Sequence, residues 1–163
     1  MTKIILTGPE CSGKTTLCKK ISRHFKIDYN PEKSREYLEK INRDYCKEDL
    51  LTISKQQIVS EKKFQILDTD LLTIKIWSEY KYGHCDKWIT EKIKWQKKEK
   101  RFYLLCKPDI PWVYDMQREN PNEREELFKI YENLLNKIGH EYYTVEGKNR
   151  LKKCILKISK FFS

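Results

Sequence analysis

Apolar and polar positions alternate along this chain in two distinct rhythms. Short continuous apolar runs, beginning with Ile4-Ile5-Leu6, mark strands buried on both faces, as in a parallel sheet. Five such runs read as strands, near Lys3–Thr7, Ile27–Tyr29, Gln65–Asp68, Phe102–Cys106 and Tyr142–Val145. Between them apolar residues return every three or four positions, the spacing of a helix with one buried face. The first helix carries Leu17, Ile21 and Phe25 on its stripe. A helix over Asn122–Ile138 carries Leu127, Ile130, Leu134 and Ile138, with Asn120 as cap, Pro121 in the first turn, Glu123 closing a capping box and Gly139 as the stop. The last helix carries Leu151, Ile155, Ile158 and Phe162. Strands separated by helices imply right-handed βαβ crossovers, hence an α/β chain with helices on both faces of one parallel sheet.

Residues 107–124 break the rhythm. They hold three prolines, four acids and two arginines with little apolar periodicity, and they follow a strand. That composition suits a short lid over a site.

With 163 residues the chain is long enough for one three-layer core, and a single domain over 1–163 with a lid at about 107–124 is expected. No repeat or low-complexity tract interrupts it. Few apolar residues precede Gly8-Pro9, and no run approaches the roughly 18 of a membrane span, so a cytoplasmic protein with no membrane partner is expected. The six cysteines are scattered without a C-x-x-C pair, which favours reduced thiols over a disulfide or zinc framework. Cys18 and Cys154 fall on helices as small buried residues.

The formal charge is +10, yet lysine supplies most of the 34 basic residues and alanine is absent. That skew resembles biased coding composition. The densest basic stretch, Lys87 to Arg101, interleaves Trp88, Ile89, Ile93 and Trp95 at helical spacing, which reads as a solvated helix face and not a nucleic-acid surface. The field still draws in anionic ligands.

The chemistry begins where the first strand ends. Gly8-Pro9-Glu10-Cys11-Ser12-Gly13-Lys14-Thr15 matches G-x-x-x-x-G-K-[ST], with a strand before it and a helix behind it. Such a turn aims backbone N–H groups and the positive helix end at a phosphate. Gly8, Glu10, Cys11, Ser12, Gly13, Lys14, Thr15 and Thr16 therefore form the expected ATP-binding loop. Lys14 reaches the β- and γ-phosphates, and the Thr15 hydroxyl can ligate Mg²⁺. Cys11 is either a small filler or an oxidisable thiol. The third strand ends in Asp68-Thr69-Asp70, at the edge of the sheet where ligands collect. Asp68 is expected to hold Mg²⁺ beside Thr15 or to take the proton of an attacking hydroxyl. Asp70 is either a helix cap or a substrate ligand. No Asn-Lys-x-Asp motif for guanine occurs, and no Glu follows the strand-end acid to polarise water, so a phosphotransferase fits better than a GTPase or motor. The three histidines show no ligand spacing.

Beyond the loop, the chain resembles the ribosylnicotinamide kinase domain of NadR-type bifunctional proteins. The resemblance rests on Gly8 to Leu17, on Pro31-Glu32 with Arg35-Glu36-Tyr37-Leu38, on Asp68 to Thr73 with Trp77-Ser78-Glu79, and on Pro108 to Trp112 with Asp115, Arg118 and Arg124, all in order. Cys11 and Lys33-Ser34 depart from the family pattern, and a free-standing member without the adenylyltransferase or DNA-binding domain is expected.

The resemblance implies a P-loop NTPase three-layer sandwich of nucleoside- or nucleotide-kinase type around a five-stranded parallel sheet. It implies transfer of the ATP γ-phosphate to the 5′-hydroxyl of nicotinamide riboside, a small-molecule nucleoside, with Mg²⁺. Arg118 and Arg124 would stabilise the migrating phosphoryl group, unless they pair only with Glu119, Glu123 or Glu125. Trp77, with Tyr37 and Trp112 behind it, would stack on the cationic ring, and Glu32 and Arg35 would meet the ribose. Another nucleoside or nucleotide monophosphate kinase, or a non-catalytic ATP-binding regulatory module, remains open at this stage.

Overall fold

The computed structural model describes residues 2–163. Five parallel strands, β1 (Lys3–Thr7), β2 (Tyr29–Asn30), β3 (Ile66–Asp68), β4 (Arg101–Cys106) and β5 (Glu141–Val145), form one sheet in the order β2-β3-β1-β4-β5. Seven helices connect and cover them: α1 (Lys14–Phe25), α2 (Lys33–Ile41), α3 (Lys47–Glu61), α4 (Leu71–Tyr82), α5 (Lys87–Gln96), α6 (Arg124–Ile138) and α7 (Arg150–Phe162). Pleating sorts the strand residues onto two cores. Ile5, Leu67, Tyr103 and Leu105 pack with α3 to α6, while Ile4, Leu6, Ile66, Phe102 and Leu104 pack with α1 and α7. No helix among the described residues is long and apolar enough to cross a membrane.

Three sequence expectations shift. The second strand starts at Tyr29 instead of Ile27, because Lys26 turns left-handed at φ 55° and the Ile27 N–H closes α1 on the Ser22 carbonyl. The expected Asn120–Glu123 capping box is absent, and α6 begins at Arg124 with no side-chain cap. The Asn120 N–H is instead donated to the Glu10 carboxylate at 2.9 Å, which holds this stretch against the phosphate loop. On α7 the core-facing stripe runs through Leu151, Cys154, Ile158 and Phe161, with Leu151 and Phe161 only partly buried. Phe161 stacks on Phe102 at 4.7 Å between ring centroids, which leaves Phe162 47% exposed.

A buried charge cluster ties β4 to the α3–α4 layer. The Arg101 side chain, wholly buried, donates to Glu61 at 2.6 Å, Asp70 at 3.1 Å and Glu99 at 2.9 Å, while the Tyr103 hydroxyl donates to Asp70 at 2.7 Å. Removing Arg101 strands the Glu61 and Asp70 carboxylates without water, while Glu99 is half exposed. Arg101→Met is therefore expected to cost about 3–5 kcal/mol in denaturant unfolding. A loss under about 1 kcal/mol would show that the cluster does not hold these elements together.

Candidate active site

The phosphate loop leaves the central strand β1 and enters α1, with β3 and β4 on either side. Gly8 sits at φ 130°, and a Cβ there would meet the Cys106 carbonyl oxygen at 2.5 Å, so no other residue fits against the end of β4. Gly13, at φ 84°, turns the chain into α1. The Lys14 ammonium lies inside the loop, donating to the carbonyls of Gly8 at 2.9 Å and Pro9 at 2.7 Å. The loop is also gripped from outside. Arg124 donates to the carbonyls of Cys11 and Ile110, both at 3.0 Å. Arg150, from the start of α7, donates to the Ser12 carbonyl at 2.7 Å. The Glu10 carboxylate accepts the N–H groups of Glu119 and Asn120, and the Val113 N–H points at the Cys11 sulfur at 3.3 Å.

β1 and β3 are in register at Leu6 and Asp68, which sets the Asp68 carboxylate beside α1. It accepts the Thr15 hydroxyl at 2.6 Å, while its other oxygen is buried with no partner. Burial pushes the Asp68 carboxyl up to about 6, partly opposed by the Thr15 hydrogen bond. A hydroxyl and one carboxylate with an orphaned oxygen suit Mg²⁺, which takes few protein ligands beside phosphates and water. Among the described residues no group of three or more His, Cys, Asp or Glu side chains is arranged to hold a metal ion.

From the loop a cavity of about 380 Å³ extends between α2, α4, α6 and the 107–123 segment. All eight loop residues from Gly8 to Thr16 expected to bind ATP line it. Glu32, Arg35, Trp77 and Arg118 line it too, as do Thr73, Leu127 and Tyr131. Arg35 donates to Asp115 at 2.9 Å, pairing α2 with the 107–123 segment.

A family described as AAA domain matches residues 3–151. The chain belongs to the AAA domain family. No curated protein sequence matches it. Among solved structures, the NadR protein in complex with NR is similar at 17% identity and TM-score 0.76, over 98% of this chain and 50% of that one. This AAA domain thus spans about half the length of the NadR chains it matches. Deoxyadenosine kinase from M. mycoides is similar at 17% identity and TM-score 0.63, over 98% of this chain and 99% of that one. Shikimate kinase from Acinetobacter baumannii is similar at 16% identity and TM-score 0.57, over 99% of this chain and 93% of that one. At these identities the likeness shows the fold, a P-loop α/β sandwich of kinase type, in agreement with the NadR-type resemblance of the sequence motifs.

Within this AAA domain four expected site residues do not line the cavity: Asp68, buried against Thr15, and three that stand apart from the loop's inner face. Asp70 is wholly buried on the opposite side of the sheet from Asp68. Thr69 adopts φ 69°, and that left-handed residue breaks the alternation that would set the two acids on one face. Asp70 caps α4 through the Leu72 N–H and pairs with Arg101 and Tyr103, so it is a structural residue and not a substrate ligand. Trp112 packs beside the guanidinium groups of Arg118 and Arg124, at 5.8 and 5.5 Å from its ring centroid, and does not line the cavity. Arg124 clamps loop carbonyls instead of facing the hollow. Tyr37, a reserve stacking candidate, donates to Asp49 at 2.6 Å and packs on the core.

Lys81, Glu119, Tyr131 and Arg150 received no site role from the sequence. Lys81 carried a signal, since it lies one helical turn beyond Trp77 on α4. The other three come from distant segments and carried none.

Proposed function

We propose that this AAA domain transfers the γ-phosphoryl group of ATP to a hydroxyl of a small nucleoside, nicotinamide riboside being the preferred acceptor. The observation that carries this reading is the single cavity that joins the phosphate loop to a pocket walled by Trp77, Glu32 and Arg35. Donor and acceptor can meet there without crossing solvent, which is what phosphoryl transfer chiefly demands.

Lys14 exchanges the Gly8 and Pro9 carbonyls for the β- and γ-phosphates, and the loop amides hold the same groups. Thr15 and Asp68 would hold Mg²⁺, which when bound neutralises charge on the phosphate chain. Arg118, on the cavity wall, is placed to stabilise the phosphoryl group in flight. Asp68 accepts the Thr15 hydroxyl and is 1% exposed. Of the cavity-wall carboxylates, Glu10 is bonded to the 107–123 segment and Glu119 to Lys81 and Tyr45, so the acceptor proton falls to Glu32. The Trp77 face supports a planar cationic ring, a contact of about 0.5–2 kcal/mol. The resemblance of the sequence motifs to NadR-type kinases and the likeness to the NadR structure in complex with NR support this acceptor.

An acceptor screen by coupled ADP release tests the reading. Nicotinamide riboside should outpace uridine, thymidine and adenosine, and Glu32→Gln should lower kcat about 10²–10⁴-fold with little change in KM. A better turnover of a pyrimidine nucleoside or adenosine would replace the acceptor assignment. One observation favours that second reading: deoxyadenosine kinase from M. mycoides is similar over almost its entire length, unlike NadR.

A further inference from the structure

At one wall of the cavity, three segments remote in sequence converge on one polar cluster. The Trp77 indole N–H donates to the Tyr45 hydroxyl at 2.9 Å, and the two rings meet edge-on at 5.0 Å. The Lys81 ammonium, one turn along α4, donates to the same hydroxyl at 2.5 Å and to Glu119 Oε1 at 2.8 Å. The Tyr45 hydroxyl directs its proton to the Glu119 carboxylate, 2.7 and 2.8 Å from its two oxygens. Trp77, Lys81 and Glu119 all line the cavity, and the Lys81 and Glu119 side chains are about one-third exposed.

The valences left over define what this wall can bind. Lys81 has three N–H bonds and uses two, so one donor remains. Glu119 accepts a single shared proton at Oε2 and keeps lone pairs there. Burial opposes the Lys81 charge, but the bonds to Glu119 and Tyr45 outweigh it and hold the ammonium above its ordinary range. A donor and an acceptor therefore stand side by side, and their charges cancel. A primary carboxamide on the rim of a ring resting against Trp77 answers both, its carbonyl to Lys81 and its NH₂ to Glu119. A carboxylate in the same place meets Lys81 already neutralised and lone pairs on Glu119 that repel it.

We propose that Lys81 and Glu119 are specificity-determining residues that admit an uncharged carboxamide on the acceptor ring and turn away the corresponding carboxylate. The proposal rests on the nicotinamide riboside reading and deepens it. Glu119 also gives its backbone N–H to Glu10 of the phosphate loop, so the residue that meets the ring is hydrogen-bonded to the loop that holds the donor.

The test compares kcat/KM for nicotinamide riboside and nicotinic acid riboside with the full chain at saturating ATP. The wild-type ratio should favour the amide by at least about tenfold. Glu119→Gln should lower that ratio about tenfold by removing the repulsion, whereas Lys81→Met should raise it, because the carboxylate loses the stronger interaction. A loosened 107–123 segment slows both acceptors alike and cancels in the ratio. A wild-type ratio near one, a ratio that Glu119→Gln leaves within about twofold, or a ratio that both variants lower would overturn the proposal. Any of those results alongside brisk riboside turnover leaves the kinase reading intact. Turnover of neither riboside overturns the acceptor assignment and this inference together.

Discussion

Lys14→Ala is expected to reduce ATP-dependent phosphoryl transfer by about 10²–10³-fold or more, because it removes the only side-chain cation inside the phosphate loop. The same variant should keep its fold. The ammonium is tied only to the carbonyls of Gly8 and Pro9 at the open mouth of the loop, where water can replace it. Coupled ADP release measures the first part and thermal unfolding the second. Turnover close to wild type would end the proposed mechanism. Lost turnover with a collapsed melting transition would mean that Lys14 serves the fold and not the phosphates.

Asp68→Asn is the second large effect, with opposite signs on two readouts. The rate should fall by orders of magnitude with a modest loss of ATP affinity, since the amide still accepts the Thr15 hydroxyl but brings no charge to the cation site. Stability should move the other way with pH. Burial raises the folded Asp68 carboxyl to about 6 from an ordinary value of 3.8. The fold therefore favours the protonated form. Wild-type stability from this group is highest below about pH 4 and declines as pH rises toward 6, a deficit of roughly 2–3 kcal/mol at neutrality. Asparagine does not titrate, and any cost of its unpaired NH₂ is the same at every pH. Relative to wild type, the variant should gain stability between pH 4 and pH 7, as read by unfolding at both. Parallel stability profiles would show that the folded carboxylate is not held at a cost.

The strands and the phosphate loop were legible because their signals are local. A glycine spacing, an apolar run and a helical stripe each lie within about twenty residues, and short-range sterics decide them. Asp68 was legible for the same reason, as an acid at the end of a strand beside the loop. Asp70 stayed open between helix cap and substrate ligand because its direction depends on the left-handed Thr69, which no local pattern marks; the structure gives the cap. The α6 cap was misread because a tertiary bond to Glu10 outweighed a local one. The Trp77–Lys81 wall was half legible. Trp77 and Lys81 share a helix face, whereas Tyr45 and Glu119 join them only once α4, the loop before α3 and the 107–123 segment are folded together. Arg150 reaches Ser12 across 138 positions, a separation no sequence window spans.

The two guanidinium groups outside the loop have one more consequence. In a trans peptide the C=O and the next N–H point in opposite directions, so fixing one fixes the other. Arg124 on the Cys11 carbonyl and Arg150 on the Ser12 carbonyl thereby aim the N–H groups of Ser12 and Gly13 away from themselves before any nucleotide arrives. ATP meets donors already set, and little chain entropy remains to be lost when it docks.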